Sequence, residues 1–308
     1  MRAVNAYLNI NNNLNCAFKD GRDVDILIWK LSLIRNKKLS FKTVLYTTED
    51  DKAYLEHHDL LRFYDEVHYI DKQNSKLELI DLKTFWAAIK FVAIEEELKQ
   101  PEPFFIVDTD LVFMDNSIIS KIYLPNLLWA NTEPAENYPP LATLAVPEGF
   151  KYPRYIDVTT RPVNTAIIKI NNRQILEDWI KLAWRFMIGN PLPEVSSSFG
   201  LIVTVEQRFL ANVIRNKYKE DISFYCDGWQ IENFGKEHFH TWGAKNYINT
   251  FEPLAKSWTK SLLLMIKQED PEVYNDIITH PTSNIQAVLE DWDNIKIVGH
   301  LYKYIKEN

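Results

Sequence analysis

Residues 103 to 116 read PFFIVDTDLVFMDN, and this stretch constrains the fold more than any other. Phe104 to Val107 form a short apolar run that stops at Asp108 and Asp110, and a second apolar run follows. Short apolar runs with polar borders read as buried strands. A carboxylate at the end of such a strand needs a partner, because an unpaired buried charge is costly. The chain must therefore bring this strand to an edge where cations or ligands can meet it.

The preceding segments supply that edge. AVNAYLNI reads as a first strand, and Val24, Leu27, Ile28, Leu31 and Ile34 recur at helical spacing behind Asp20 and Asp23, which can cap. KTVLYT and EVHYI are further strands, with a short helix in the EDDKAYLEHHDLLRFY segment between them. Leu82 to Leu98 reads as a helix with Leu82, Phe85, Trp86, Ile89 and Ala93 on one face. This β-α-β-α-β order predicts an open, largely parallel sheet with helices on both faces. Ligands of such sheets bind beyond the carboxyl ends of the strands.

The second half is less regular. Residues 131 to 163 hold six prolines, and a loop of that length in a compact domain serves as a lid, a binding loop or a disordered segment. NTAIIKI returns as a strand, Arg173 to Ile188 as an amphipathic helix, EQRFLANVIRNK as a helix and ISFYCD as a strand. Beyond Ser257, helices separated by Pro271 and Pro281 are expected, with a strand-like IKIVG.

Composition excludes several function classes. A formal charge of −7, distributed along the chain, provides no surface for a polyanion, so nucleic acid is not an expected partner. Two cysteines, Cys16 and Cys226, make neither a disulfide framework nor a zinc site and fit a reducing compartment. No stretch of about 18 apolar residues predicts a transmembrane segment, and the start lacks a signal-peptide pattern. The expected location is cytoplasmic.

Pairs of aspartates one residue apart also occur at Asp23 with Asp25 and at Asp291 with Asp293. Those lie at a helix start and in a polar segment, where acids are ordinary. Asp108 and Asp110 differ by following a buried strand, and a hard divalent cation, Mn²⁺ or Mg²⁺, is the partner their oxygens suit. Tyr7, Tyr46, Thr47 and Thr48 follow the first two strands, where they are placed to stack on or hydrogen-bond a nucleotide base.

FFIVDTDLVF resembles the D-x-D motif of the GT-A glycosyltransferases, which use nucleotide-sugar donors, and DLKTFWAAIKF resembles the basic helix before it. RPVNTAIIKI, VEQRFLANVI and HFHTWGAKN resemble, in order, the sugar-pocket strand, the helix start facing the donor sugar and the late His-x-x-Gly…Lys segment of the glycogenin-like and galactosyltransferase-like retaining branch. The resemblance covers roughly residues 1 to 250 and implies an α/β, Rossmann-like GT-A fold with an open mixed sheet and a C-terminal helical extension. The expected division is a catalytic domain over 1–256, with a nucleotide-binding half to residue 116 and an acceptor and sugar half from 117, and an extension over 257–308.

The resemblance assigns roles residue by residue. Asp110 binds the metal, Asp108 is shared between metal and donor, and His240 is the third metal ligand or else a structural histidine. Lys245 neutralises the leaving diphosphate or is a surface lysine, its place one residue early for that branch. Lys83 resembles the family's donor-contacting basic residue; Lys90, seven residues on along the same helical face, could also reach phosphate oxygens but is read as part of a solvated face. Asn164 and Thr165 meet sugar hydroxyls, and Arg161 meets the diphosphate or the acceptor; a polar turn before a strand explains all three equally. Glu206 and Gln207 face the anomeric carbon, with Glu206 also a candidate base, unless TVEQ is a capping box in which Thr204 caps and Gln207 reaches back.

The function implied is metal-dependent transfer of a sugar, with UDP the commonest donor nucleotide of that branch, to an acceptor hydroxyl on a carbohydrate or other molecule, retention slightly favoured. Three alternatives stay open. A haloacid-dehalogenase-type phosphatase shares the local DTDLV pattern, but its nucleophile strand opens the domain. A sugar nucleotidyltransferase would carry a glycine-rich loop where NINNNLN stands, and a non-enzymatic glycan-binding module leaves the two aspartates without a task.

Overall fold

A computed structural model describes residues 1–8, 22–131, 138–191, 198–226, 238–240, 248, 251–301 and 305. Lys245, Asp20 and the loop NINNN from residue 9 onward lie outside the described residues. The strands are β1 (Arg2–Ala6), β2 (Lys42–Thr48), β3 (Glu66–Ile70), β4 (Phe104–Val107), β5 (Leu111–Phe113), β6 (Asn126–Asn131), β7 (Val163–Ile170), β8 (Ser223–Cys226) and β9 (His238–His240). Seven of them form one sheet in the order β3-β2-β1-β4-β7-β6-β8, and β5 pairs with β9 in a separate two-stranded sheet. β3, β2, β1 and β4 run parallel, β7 is antiparallel to both β4 and β6, and β6 is parallel to β8.

Alternation along the strands sorts side chains to two faces. Val4, Val44, Ile106, Leu128 and Ile168 pack with the Ala88–Glu97 and Arg173–Met187 helices and the helical residues 198–217. Their neighbours Ala3, Phe105, Val107, Leu127 and Ile167 pack with Ile118 and Ile122 on the opposite face, where the Arg22–Lys38 helix also covers Leu45. The period of two explains why each central strand is apolar on both sides. The result is the α/β, Rossmann-like open mixed sheet with helices on both faces.

The helices Glu252–Glu269, Pro271–Thr279 and Ser283–Glu290 are the last α-helices among the described residues, the first of them beginning before residue 257. Pro271 takes the first position of the second helix behind the Asp270 cap, where its missing N–H costs nothing. Trp258, Leu262, Met265, Ile266, Val273 and Ile277 share one buried cluster with Leu27, Leu31 and Ile34 of the Arg22–Lys38 helix. Arg35 adds an ion pair to Glu269. These helices thus pack on the Arg22–Lys38 helix.

Local expectations fail where side chains compete for backbone groups. The helix expected from Leu82 begins at Ala88, because Asp81 accepts from the Thr84 amide and hydroxyl and holds residues 81–87 in turns. IKIVG is not a strand: Lys260 donates to the carbonyls of Trp292 and Ile295, and Ser261 accepts from the Val298 amide. β6, by contrast, lies in a stretch in which no strand was expected, and its pairing with β7 and β8 makes it one. The irregular segment after residue 138 lies over the helical residues 204–217, tied down where the Asn212 side chain accepts from the Asp157 amide and the Asn216 amide donates to the Tyr155 carbonyl.

Candidate active site at the carboxyl edge of the sheet

Asp108 sits just past β4, at the carboxyl edge of the parallel strands, and its amide donates to the Ala166 carbonyl of β7 (2.9 Å). The preceding carbonyl, that of Val107, accepts from the Asn5 amide (2.7 Å), whose oxygen accepts from Tyr64, itself bonded by Trp29. Asn5 was not anticipated as a site-building residue. Its signal was a lone carboxamide inside the apolar run of the first strand, where a buried polar group implies a dedicated partner.

The chain then turns, with the Leu111 amide donating to the Asp108 carbonyl, and enters β5. Ser32 and Arg35 of the first helix donate to the carbonyls of Leu111, Phe113 and Met114, fixing β5 against that helix. On its other side β5 pairs with β9, which sets Leu111 opposite His240. This register delivers His240 to the aspartates: its Nε2 lies 3.3 Å from Asp110 Oδ1. One ligand atom each from Asp108, Asp110 and His240 lies within 4.8 Å of the others. The Trp129 ring meets the imidazole edge-on at 4.8 Å.

Two carboxylates and an imidazole are a donor set that suits a divalent first-row ion. His240 is buried and its Nδ1 has no hydrogen-bond partner among the described residues. With Nε2 turned to Asp110, the imidazole is held where it can donate an electron pair beside the two acids. The residues present therefore fit a metal.

Lys90 corrects the expectation of a solvated lysine. It is 7 % exposed, and its Nζ lies 2.6 Å from Asp108 Oδ1 and 2.5 Å from Glu206 Oε1. The Ala88–Glu97 helix precedes β4 and runs against it, so its first turn stands at the same edge as Asp108. Burial lowers the Lys90 pKa, but the charges of Asp108 and Glu206 and hydrogen bonds to both outweigh it and hold the group above the ordinary lysine value. It stays an ammonium. Sequence reasoning missed it because the partners lie 18 and 116 residues away.

Glu206 and Gln207 stand in a widened, π-type turn over Thr204–Arg208 that continues the helix begun at Ser198. The capping box is absent, because Thr204 is inside the helix and its hydroxyl donates to the Gly200 carbonyl. Single π-turns inserted in helices frequently mark functional sites. Glu206 is turned inward: Oε1 accepts from Lys90 and from the Thr165 hydroxyl (2.7 Å). Gln207 instead accepts from the Tyr138 hydroxyl (2.5 Å). Asn164, one residue before Thr165 on β7, accepts from the Ala166 amide (2.9 Å).

The remaining expected residues are scattered. Lys83 is exposed and, with Leu8, Lys72, Gln73 and Ile80, lines a cleft of about 440 Å³ beyond the ends of β1 and β3. Tyr7 follows β1 and packs on Trp29 and Tyr54. Tyr46 points to the buried interior, where its hydroxyl donates to Glu97, and Thr47 and Thr48 donate to Asp51. These three side chains hold structure. Arg161 is exposed, with its carbonyl accepting from Arg215.

Neither a protein-family model nor a curated protein matches the chain. Among solved structures, it is similar to mouse xyloside xylosyltransferase 1 in its apo form, at 12 % identity and a TM-score of 0.38 over 72 % of this chain and 84 % of that one. It is also similar to 4-diphosphocytidyl-2C-methyl-D-erythritol synthase from Anaerococcus prevotii, at 13 % identity and 0.35 over 76 % and 89 %. A third is the PaToxG glycosyltransferase, at 12 % and 0.31 over 99 % and 85 %. Among the described residues, no helix is long and apolar enough to cross a membrane.

Proposed function

We propose that this protein is a glycosyltransferase that moves a sugar from a nucleotide diphosphate sugar, a UDP-sugar by preference, to an acceptor hydroxyl. The observation that carries this reading is the meeting of Asp108, Asp110 and His240 at the carboxyl edge of a Rossmann-like sheet. Those three residues would hold Mn²⁺ or Mg²⁺. Such an ion, when bound, supplies stabilisation for the negative charge that grows on a departing diphosphate.

The chain's own residues do the rest. Lys90 keeps a fixed positive charge at the same edge, oriented from behind by Glu206, so an anionic group is received by a pre-aimed cation. Asn164 and Gln207 supply polar groups suited to sugar hydroxyls. Lys83 stands beside a cleft large enough for a nucleoside. Glu206, with Oε1 taken by two donors, serves to hold Lys90 rather than to draw a proton from an acceptor. Transfer with retention is the favoured course, since the Glu206 oxygen nearest Lys90 is already held by two donors.

Isothermal titration of UDP with and without Mn²⁺, followed by hydrolysis assays over a panel of UDP-sugars, tests the proposal. Metal-dependent UDP binding with turnover of at least one donor is expected. UDP binding that ignores the metal, or release of pyrophosphate from UTP and a sugar phosphate in place of sugar transfer, removes it.

A further inference from the structure

Two carboxamides, Asn164 on β7 and Gln207 in the widened turn, have their oxygens occupied. Asn164 Oδ1 accepts from the Ala166 backbone amide. Since a backbone N–H can only donate, that contact fixes which end of the amide is the oxygen. Gln207 Oε1 accepts from the Tyr138 hydroxyl. Among the described residues, neither the Asn164 Nδ2 nor the Gln207 Nε2 has a partner, and neither is among the buried unsatisfied atoms. Both residues are buried, Asn164 at 8 % and Gln207 at 9 % exposed.

Tyr138 is itself well fixed. It is 8 % exposed, the Arg208 guanidinium lies over its ring at 5.3 Å, and Arg208 donates to the next carbonyl, that of Pro139, at 2.9 Å. One residue of the widened turn thus receives the Tyr138 hydroxyl while its neighbour clamps the Tyr138 ring. Such a double attachment fixes the position of the hydroxyl that Gln207 Oε1 meets.

We propose that Tyr138 is a positioning residue that turns the Gln207 carbonyl away from the ligand, so that Gln207 offers only N–H donors to substrate oxygens. This inference rests on the glycosyl-transfer reading of the site and sharpens it. It assigns Gln207 the recognition or stabilisation of a sugar oxygen and denies it the role of an acceptor toward a substrate hydroxyl.

Isosteric replacements separate the two roles. Gln207→Glu keeps size and the Tyr138 contact but exchanges the donor for an acceptor. Its kcat on the UDP-sugar that wild type hydrolyses is expected to fall about tenfold or more, with Mn²⁺-dependent UDP affinity unchanged. Tyr138→Phe should lower kcat several-fold at unchanged UDP affinity, and Tyr138→Phe/Gln207→Ala should be no slower than Gln207→Ala alone. Turnover by Gln207→Glu at or above the wild-type rate overturns the inference. So does multiplication of the two effects in the double variant, which would mark Tyr138 as merely structural. Wild type lacking metal-dependent UDP binding sinks the parent reading instead, so the two failures are distinguishable.

Discussion

The Lys90 ammonium lies 2.6 Å from the Asp108 carboxylate and is held from its other side by Glu206. The D-x-D strand end, the helix before it and the widened turn are joined through this one side chain.

Lys90→Met should therefore destabilise the protein as well as silence it. Glu206 is 3 % exposed, and removing one partner of a buried pair costs about 3–5 kcal/mol because the other charge is stranded. Urea unfolding at pH 7 measures this. Lys90→Met/Glu206→Gln should recover a large part of the loss, and a double variant less stable than the single one contradicts the tether.

Metal binding should stabilise the fold through Asp110. At a Mn²⁺ concentration of 100 times Kd, the wild type should gain about 2.7 kcal/mol, read from urea unfolding or a thermal shift. Asp110→Ala should lose that gain together with metal-dependent UDP binding, while its metal-free stability stays close to wild type. An unchanged Mn²⁺ response in the variant would remove Asp110 from the metal site.

At the opposite edge of the sheet, hydrogen bonds from Arg2 and Lys42 hold the Glu66 carboxyl down to about 2, from an ordinary value of 4.5. A depressed carboxylate contributes stability above its unfolded pKa and loses it as the pH falls toward the folded one. The contribution should be complete above pH 4.5 and decline toward pH 2. Partial exposure screens the pair, so the slope stays below about 1.4 kcal/mol per pH unit. Urea midpoints at pH 5 and pH 3 should separate more for wild type than for Glu66→Gln; equal separations would contradict the linkage.

The C-terminal helices should unfold with the sheet rather than apart from it. Leu262 is fully buried in the cluster shared with Leu27 and Leu31, so Leu262→Ala should cost about 2–5 kcal/mol. The loss should appear in a single transition when circular dichroism and tryptophan fluorescence are followed together. Two separated transitions would instead make the extension an independent unit.

The strand ending in Asp108, the alternation of strands and helices and the prolines between the last helices were legible in the sequence because each depends on neighbours within a few residues. Period, caps and apolar runs carry such information locally. The failures have the same origin in reverse. β6 is a strand because of its pairing partners, the capping box gave way to a longer helix, and the turn held by Asp81 replaced a helical start.

The sequence by itself determined that a carboxylate pair stands at the end of a buried strand on an α/β sheet. Only the tertiary structure decided what the pair meets. The β5–β9 register brings His240 to Asp110, an antiparallel helix brings Lys90 to Asp108, and the segment after residue 138 brings Tyr138 to Gln207. Each of these contacts joins residues on different elements, and each gives a buried polar group a partner that its own element cannot supply.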